Sequence, residues 1–436
     1  MKAPNASQRP RRLTRVAERL TRESIWTKLG PGLITGAADD DPSGIATYSQ
    51  TGAAFGFNTL WTLWLTYPLM AAIQYVSALI GRVTGQGLAA NLRKHYPVLL
   101  LRMIVFALFV ANVINLGADI GAMGEAVRLL IGGPAVLYAI VLALIALTLL
   151  VVLSFHTYAQ FLKYLTLSLF AYAGTLFFVH VPWGEVLHSA FAPKLTWDTK
   201  YLTAIVAIFG TTISPYLFFW QAAHEVESQK ADPSEKPLKK SPQQGARQTR
   251  NMRWDTGIGM AISNLIAFFI MLTTAVVLNA HGITKIDSAA QAAKALEPVA
   301  GKGATFLFAA GIIGTGMLAI PTLAGSTAYA VCETFRWPKG LNLRWSQATG
   351  FYGVLALGIL LGVGLNFTPI NPIDALYWSA VLNGIVAGPL MIVLMLLVSN
   401  RKVMGRFAAS PLLRIGGWSA TAVMLIAGAA LIIVSL

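Results

Sequence analysis

Three consecutive carboxylates, Asp39, Asp40 and Asp41, interrupt an otherwise apolar stretch and are followed directly by Pro42, Ser43 and Gly44. The stretch 31–55 is long enough to cross a bilayer, and a carboxylate at mid-membrane costs roughly 2.5–3.5 kcal/mol even on lenient scales. Such groups persist where a cavity, a partner or a cation stabilises them. Pro42 removes a backbone donor and Gly44 tolerates unwound dihedrals, so together they predict a broken helix with freed carbonyls beside Asp41. Carboxylate and carbonyl oxygens are hard ligands that suit a cation. Successive helical residues point about 100° apart, so the three acids cannot all face one site. Asp40 is then a candidate for the wall of an ion pathway, or one of the acids is held protonated by its neighbours.

A second break is predicted at Gly210-Thr211-Thr212-Ile213-Ser214-Pro215-Tyr216. Unwinding there would offer the Thr211 carbonyl and the Ser214 hydroxyl. Alone it reads as a proline kink with hydroxyls bonded back to carbonyls. Paired with the first break, it points to a transporter site built from two discontinuous helices. Asp119 reads as a pore-wall acid or as a carboxylate bonded between helices. Glu225, in His224-Glu225-Val226-Glu227, reads as part of a cation-attracting vestibule or as a solvated helix end. Asn383 reads as an ion contact, direct or through water, or as a polar core contact. His156, His180, His188 and His281 lack metal-ligand spacing and receive no role.

The elements that must hold these groups are apolar spans. The chain has 436 residues, 56% hydrophobic and only 12% charged, against about 25% charged in soluble proteins. Eleven runs are long enough to span, near 31–55, 59–80, 101–128, 134–153, 159–181, 201–222, 257–280, 303–331, 347–365, 376–398 and 415–435. This is an all-α polytopic membrane protein set in a lipid bilayer. Of 33 basic residues, only Arg128, Lys194, Lys200, Lys285, Lys294 and Lys302 fall on one side of this topology, which places the basic N-terminal segment on the cytoplasmic side; the membrane expected is a bacterial-type inner membrane. That bias accounts for the net charge of +15 without nucleic acid. The loop 224–256, rich in Lys, Arg, Ser, Pro and Gln, reads as a solvated linker. The single cysteine, Cys332, excludes an intramolecular disulfide and a multi-thiolate metal site. No Walker loop, dinucleotide fingerprint or nucleophile elbow occurs, so neither an enzyme nor a bound cofactor is expected, and no obligate protein partner is implied.

At the two breaks the chain resembles the Nramp (natural-resistance-associated macrophage protein) family of divalent-metal transporters. Gly30-Pro31-Gly32-Leu33 with Asp41-Pro42-Ser43-Gly44 is similar to the family's first-helix Asp-Pro-Gly-Asn motif, and Gly210 to Leu217 to its sixth-helix Gly-Ala-Thr-Val-Met-Pro-His-Asn. Gln74 to Ala89 resembles the second helix and following loop, and Ser399 to Arg406 a stretch after the tenth helix. The resemblance implies a LeuT-type fold with an inverted 5+5 repeat and discontinuous helices 1 and 6. On that reading 1–29 is a basic cytoplasmic segment, 30–181 and 182–398 are the repeats, and 399–436 carries an added C-terminal helix.

The departures bear on the ion. Where the family has Asn, Met and His, this chain has Gly44, Ser214 and Tyr216, and Thr211 stands at the family's carbonyl ligand. Loss of the thioether removes a soft ligand, and an oxygen-only site suits Mg²⁺, Ca²⁺ or Mn²⁺. The smaller side chains enlarge the expected cradle, which fits Mg²⁺, an ion that dehydrates reluctantly. The pattern resembles the Nramp-related magnesium transporters. The resemblance therefore implies a Mg²⁺ and Mn²⁺ importer with Asp41, Gly44, Thr211 and Ser214 at the ion. Asp40, Asp119, Tyr216, Asn383 and Glu225 are expected in its pathway or surround. Replacement of the histidine by Tyr216 and of one of two third-helix acids implies uniport. The alternatives are a proton-coupled Mn²⁺/Fe²⁺ transporter, an organic-solute carrier on the same fold and, in another class, a membrane-embedded enzyme.

Overall fold

The computed structural model describes residues 30–152 and 167–435, and every regular element among them is helical. The segment 1–29, part of the 159–181 span and His156 lie outside the described residues. The first span is divided into α1 (Pro31–Asp39) and α2 (Pro42–Phe55). It is followed by α3 (Trp61–Thr84), α4 (Leu88–His95), α5 (Val98–Ile131) and α6 (Ala135–Val152). After the short α7 (Phe170–Thr175) and α8 (Trp183–Phe191), the sixth span is divided into α9 (Thr199–Thr212) and α10 (Pro215–Ala231). The remaining long helices are α11 (Gly245–Val277), α12 (Ala304–Phe335), α13 (Thr349–Leu365), α14 (Pro372–Ser399) and α15 (Pro411–Ser435).

Both breaks have the same local cause. A proline disfavours helical dihedrals in the residue before it, and Asp41 (φ −73°, ψ 170°) and Ser214 (φ −74°, ψ 132°) are extended. The prolines then begin new helices at the position where a missing N–H costs nothing. The kink considered for the sixth span is thus a full stop and restart.

Small residues bring the broken helices close to their neighbours. Gly36 of α1 meets the Gly259 backbone of α11, and Gly210 of α9 meets Ala380 and Gly384 of α14. Backbones pack this tightly in membranes only where side chains are absent or small. The outer helices show the opposite pattern: Phe106, Leu137, Val141, Phe306, Ile426 and Ile433 are exposed. Apolar patches on that scale are rare on soluble monomers, and they form the lipid-facing surface of this multi-pass membrane protein.

The expected polar linker at 224–256 is mostly helical. α10 continues to Ala231 and α11 starts at Gly245. The connection between them is anchored, since Leu238 is buried and its N–H, like that of Lys239, donates to the end of α3 at Arg82 and Val83. Composition alone read the charged ends of two long helices as loop.

Candidate functional site

The two breaks face each other in the interior, and Asp39, Asp40 and Asp41 are all at most 3% exposed. They divide between two environments. Asp39 Oδ2 accepts from Ser263 Oγ of α11 at 2.6 Å, and Asp40 Oδ1 accepts from the same hydroxyl at 3.1 Å. Asp41 turns the other way because it stands in the break as the N-cap of α2, whereas Asp39 ends α1. Its Oδ1 accepts from Ser43 Oγ at 2.6 Å and from the Gly44 N–H at 2.8 Å, capping α2. Its Oδ2 accepts from Asn115 Nδ2 at 3.2 Å and from the Tyr216 hydroxyl at 3.1 Å.

Four donors explain how this carboxylate is tolerated. A hydrogen bond to a charged group contributes about 1.5–3 kcal/mol, so the set offsets part of the cost of burying the carboxylate. Asp41 is the point where α2, α5 and α10 meet chemically. The chain of contacts continues outward from it. Asn115 Nδ2 also donates to Asp119 Oδ2 at 3.1 Å, and Asn115 Oδ1 accepts from Asn383 Nδ2 of α14 at 3.0 Å. Asp119 Oδ1 and Asn383 Oδ1 are buried with no hydrogen-bond partner.

Asp41, Gly44, Tyr216, Asp119 and Asn383 are therefore brought together. The sixth-span oxygens are arranged differently from expectation. The Ser214 hydroxyl lies 2.8 Å from the carbonyls of both Gly210 and Thr211 and turns its single proton back on them, while Pro215, four residues after Thr211, has no N–H to offer that carbonyl. The enlarged cradle is not observed either. A Cβ on Gly44 would meet Thr211 Oγ1 at 3.2 Å and Asp39 O at 3.5 Å, so the threonine hydroxyl fills the room the glycine leaves. Nearby, Thr212 Oγ1 donates to Ile208 O at 2.6 Å, which makes Tyr48 the donor in its 3.0 Å contact with Thr212.

Both approaches to Asp41 are covered. On one side Ile45, Ala46, Ile312, Ile373 and Leu376 leave a gap of about 10 Å³, room for about one water. On the other, Thr35 of α1 donates to Gln221 of α10 at 2.5 Å, and Gln221 donates to Glu225 at 3.3 Å. Arg82 of α3 grips Glu225 Oε2 through Nε at 2.9 Å and a terminal nitrogen at 2.6 Å, and also pairs with Glu235. Asp255 of α11 accepts from the Gly32 N–H at 2.6 Å, tying down the start of α1. Glu225 is thus neither a solvated helix end nor an open vestibule acid. It is 1% exposed and ion-paired.

The residues that the sequence did not single out are Ser43, Asn115, Ser263, Gln221 and Arg82. Asn115 carried one usable signal: it lies four residues before Asp119, so both occupy one face of an apolar span. Arg82 carried none, because a basic residue at a helix end reads as topology.

A family model described as natural resistance-associated macrophage protein-like (Nramp) matches residues 32–434. The divalent metal cation transporter MntH of Klebsiella pneumoniae (strain 342) is 26% identical over 437 residues, covering 98% of each chain. Among solved structures, the Eremococcus coleocola manganese transporter superposes with a TM-score of 0.72 at 17% identity, over 98% of this chain and 88% of that one. MhsT in complex with L-phenylalanine superposes with a TM-score of 0.60 at 11% identity, over 93% of this chain and 98% of that one. These likenesses establish the LeuT-type fold that the family resemblance implied.

Proposed function

Because the chain belongs to the Nramp family, we propose that it carries divalent cations across an inner membrane, with Mg²⁺ and Mn²⁺ as its ions and the N-terminus on the cytoplasmic side. The observation that supports this reading most is the setting of Asp41, a buried carboxylate at a helix break whose contacts come from hydroxyl, amide and peptide groups. Where the related motif has a methionine sulfur, this chain has Ser214, and oxygen ligands favour hard ions over softer transition metals. The gradient of the ion and the membrane potential drive uniport, and alternate opening of the two covers around Asp41 moves it. Asp41→Ala in proteoliposomes is expected to abolish Mg²⁺ and Mn²⁺ uptake while the protein still purifies as a folded species. Retained uptake would remove the central residue from the scheme. Competition among Mg²⁺, Ca²⁺, Mn²⁺ and Fe²⁺ in one flux assay ranks the ions.

One observation favours a second reading. Asp119 is buried and joined to Asp41 through Asn115, an arrangement in which an acid could exchange a proton as the ion moves. Metal-driven acidification of the vesicle lumen, followed with a pH dye, would establish that proton-coupled Mn²⁺/Fe²⁺ reading and exclude uniport.

A further inference from the structure

The contacts around Asn115 place a hydrogen-bond donor where a cation belongs. A single amide nitrogen lies 3.2 Å from Asp41 Oδ2 and 3.1 Å from Asp119 Oδ2, joining two buried carboxylates from different spans. No lysine, arginine or histidine contacts either carboxylate among the described hydrogen bonds and ion pairs. Two further acceptors are left over beside it: Asp119 Oδ1 and Asn383 Oδ1, both buried and unpartnered. A buried acceptor without a donor carries a penalty that native structures rarely keep without a reason.

We infer that the Asn115 amide is a place-holder for the transported dication, and that the ion's seat lies between Asp41 of the first span and Asp119 of the third. The seat rests on the divalent-cation reading above and deepens it by naming the ligands. Entry of the ion, with a concerted turn of two amides, engages both orphaned atoms. When the ion enters between the carboxylates, the amides of Asn115 and Asn383 turn over together, so that Asn115 Oδ1 faces the ion and Asn115 Nδ2 donates to Asn383 Oδ1. Asp119 Oδ1 then gains the ion, directly or through one of its waters, as its partner. The spacing also gives the ion a mechanical effect. Distances of 3.1–3.2 Å suit an amide donor, whereas Mg²⁺ binds oxygen at about 2.0–2.1 Å. Direct ligation therefore draws the carboxylates inward, pulling α2 and α5 together at the break.

The seat differs from one formed only by the first and sixth spans, and the third-span acid separates the two. In the full-length protein in proteoliposomes, Asp119→Cys places a thiol at the seat, and sulfur raises affinity for soft Cd²⁺ relative to Mn²⁺. Cd²⁺ is expected to inhibit Mn²⁺ uptake at least tenfold more strongly than in the parent, an effect that a merely structural role for Asp119 would not produce. Cd²⁺ inhibition within twofold of the parent would overturn the seat. Should that variant not transport, Asp119→Asn in detergent decides by calorimetry. Mn²⁺ affinity reduced at least tenfold at an unchanged melting temperature supports the seat, and unchanged affinity overturns it. Asp41→Ala run in parallel separates the two levels. A dead Asp41→Ala with normal Asp119 variants refutes this seat alone, an active Asp41→Ala removes Asp41 and the seat built on it, and absence of Mn²⁺ uptake by the parent protein refutes the cation-transport reading beneath both.

Discussion

Gly36→Ala tests whether the docking of α1 against α11 controls access to Asp41. The added Cβ would lie 2.8 Å from the Gly259 Cα and closer still to its carbonyl, whereas ordinary contact begins at 3.4 Å. The obstructing atoms are backbone, so no side chain can rotate away, and the helices must part by roughly 1 Å in a closely packed interior. Overpacking of this kind costs about 1–3 kcal/mol. The strain exists only while α1 is docked, where its hydrogen bonds to the neighbouring helices are Thr35 to Gln221, Gly32 to Asp255, Asp39 to Ser263 and Tyr216 to Ala38. Transferred to the equilibrium between docked and undocked α1, that cost is a shift of about 5–150-fold. The assay is the modification rate of Ile34→Cys, a position 5% exposed when docked, by a membrane-impermeant maleimide after Cys332→Ser removes the native thiol. The rate is expected to rise at least fivefold in the Gly36→Ala variant. An unchanged rate at an unchanged melting temperature would refute the idea that this helix contact holds the cover closed.

Three further outcomes follow from single contacts. Tyr216→Phe removes a donor that competes with a cation for Asp41 Oδ2, so the KM for Mn²⁺ is expected to fall several-fold, and a raised KM would contradict the competition. Glu225→Gln breaks a buried ion pair with Arg82, a change costing about 3–5 kcal/mol when one charge is stranded. Because Glu235 still holds Arg82, the loss is expected at the lower end of that range, read as a reduced melting temperature by intrinsic fluorescence. Ser214→Met restores a thioether at the sixth-span break and uncaps the Gly210 and Thr211 carbonyls. Cd²⁺ and Fe²⁺ are expected to gain on Mg²⁺ in competition flux, and an unchanged ion order would show that residue 214 does not face the ion.

The two breaks were legible because their causes are local. A proline constrains its own torsion and that of its neighbour, so Asp41-Pro42 and Ser214-Pro215 declare where the helices stop whatever surrounds them. The division of the three aspartates between two environments follows from the break itself, since Asp39 ends α1 and Asp41 caps α2, not from the helical spacing read in the sequence. The partners of those side chains are set by helix packing, to which a single sequence gives little access. Nothing near Asp41 in the chain announces Asn115, 74 residues away, or Tyr216, 175 residues away. The orientation of the Ser214 hydroxyl was hidden for a related reason. A serine before a proline reads equally well as an offered ligand or as a cap, and only the 2.8 Å contacts to Gly210 and Thr211 decide for the cap. The same distinction explains the filled cradle. Substituting glycine for a larger residue creates space only if the neighbours stay put, and here Thr211 Oγ1 is close enough to occupy it. In a densely packed interior, side-chain volume lost at one position is taken up by the next. The ion preference of this chain therefore depends less on room gained at Gly44 than on which groups surround the Asp41 carboxylate and how readily they give way.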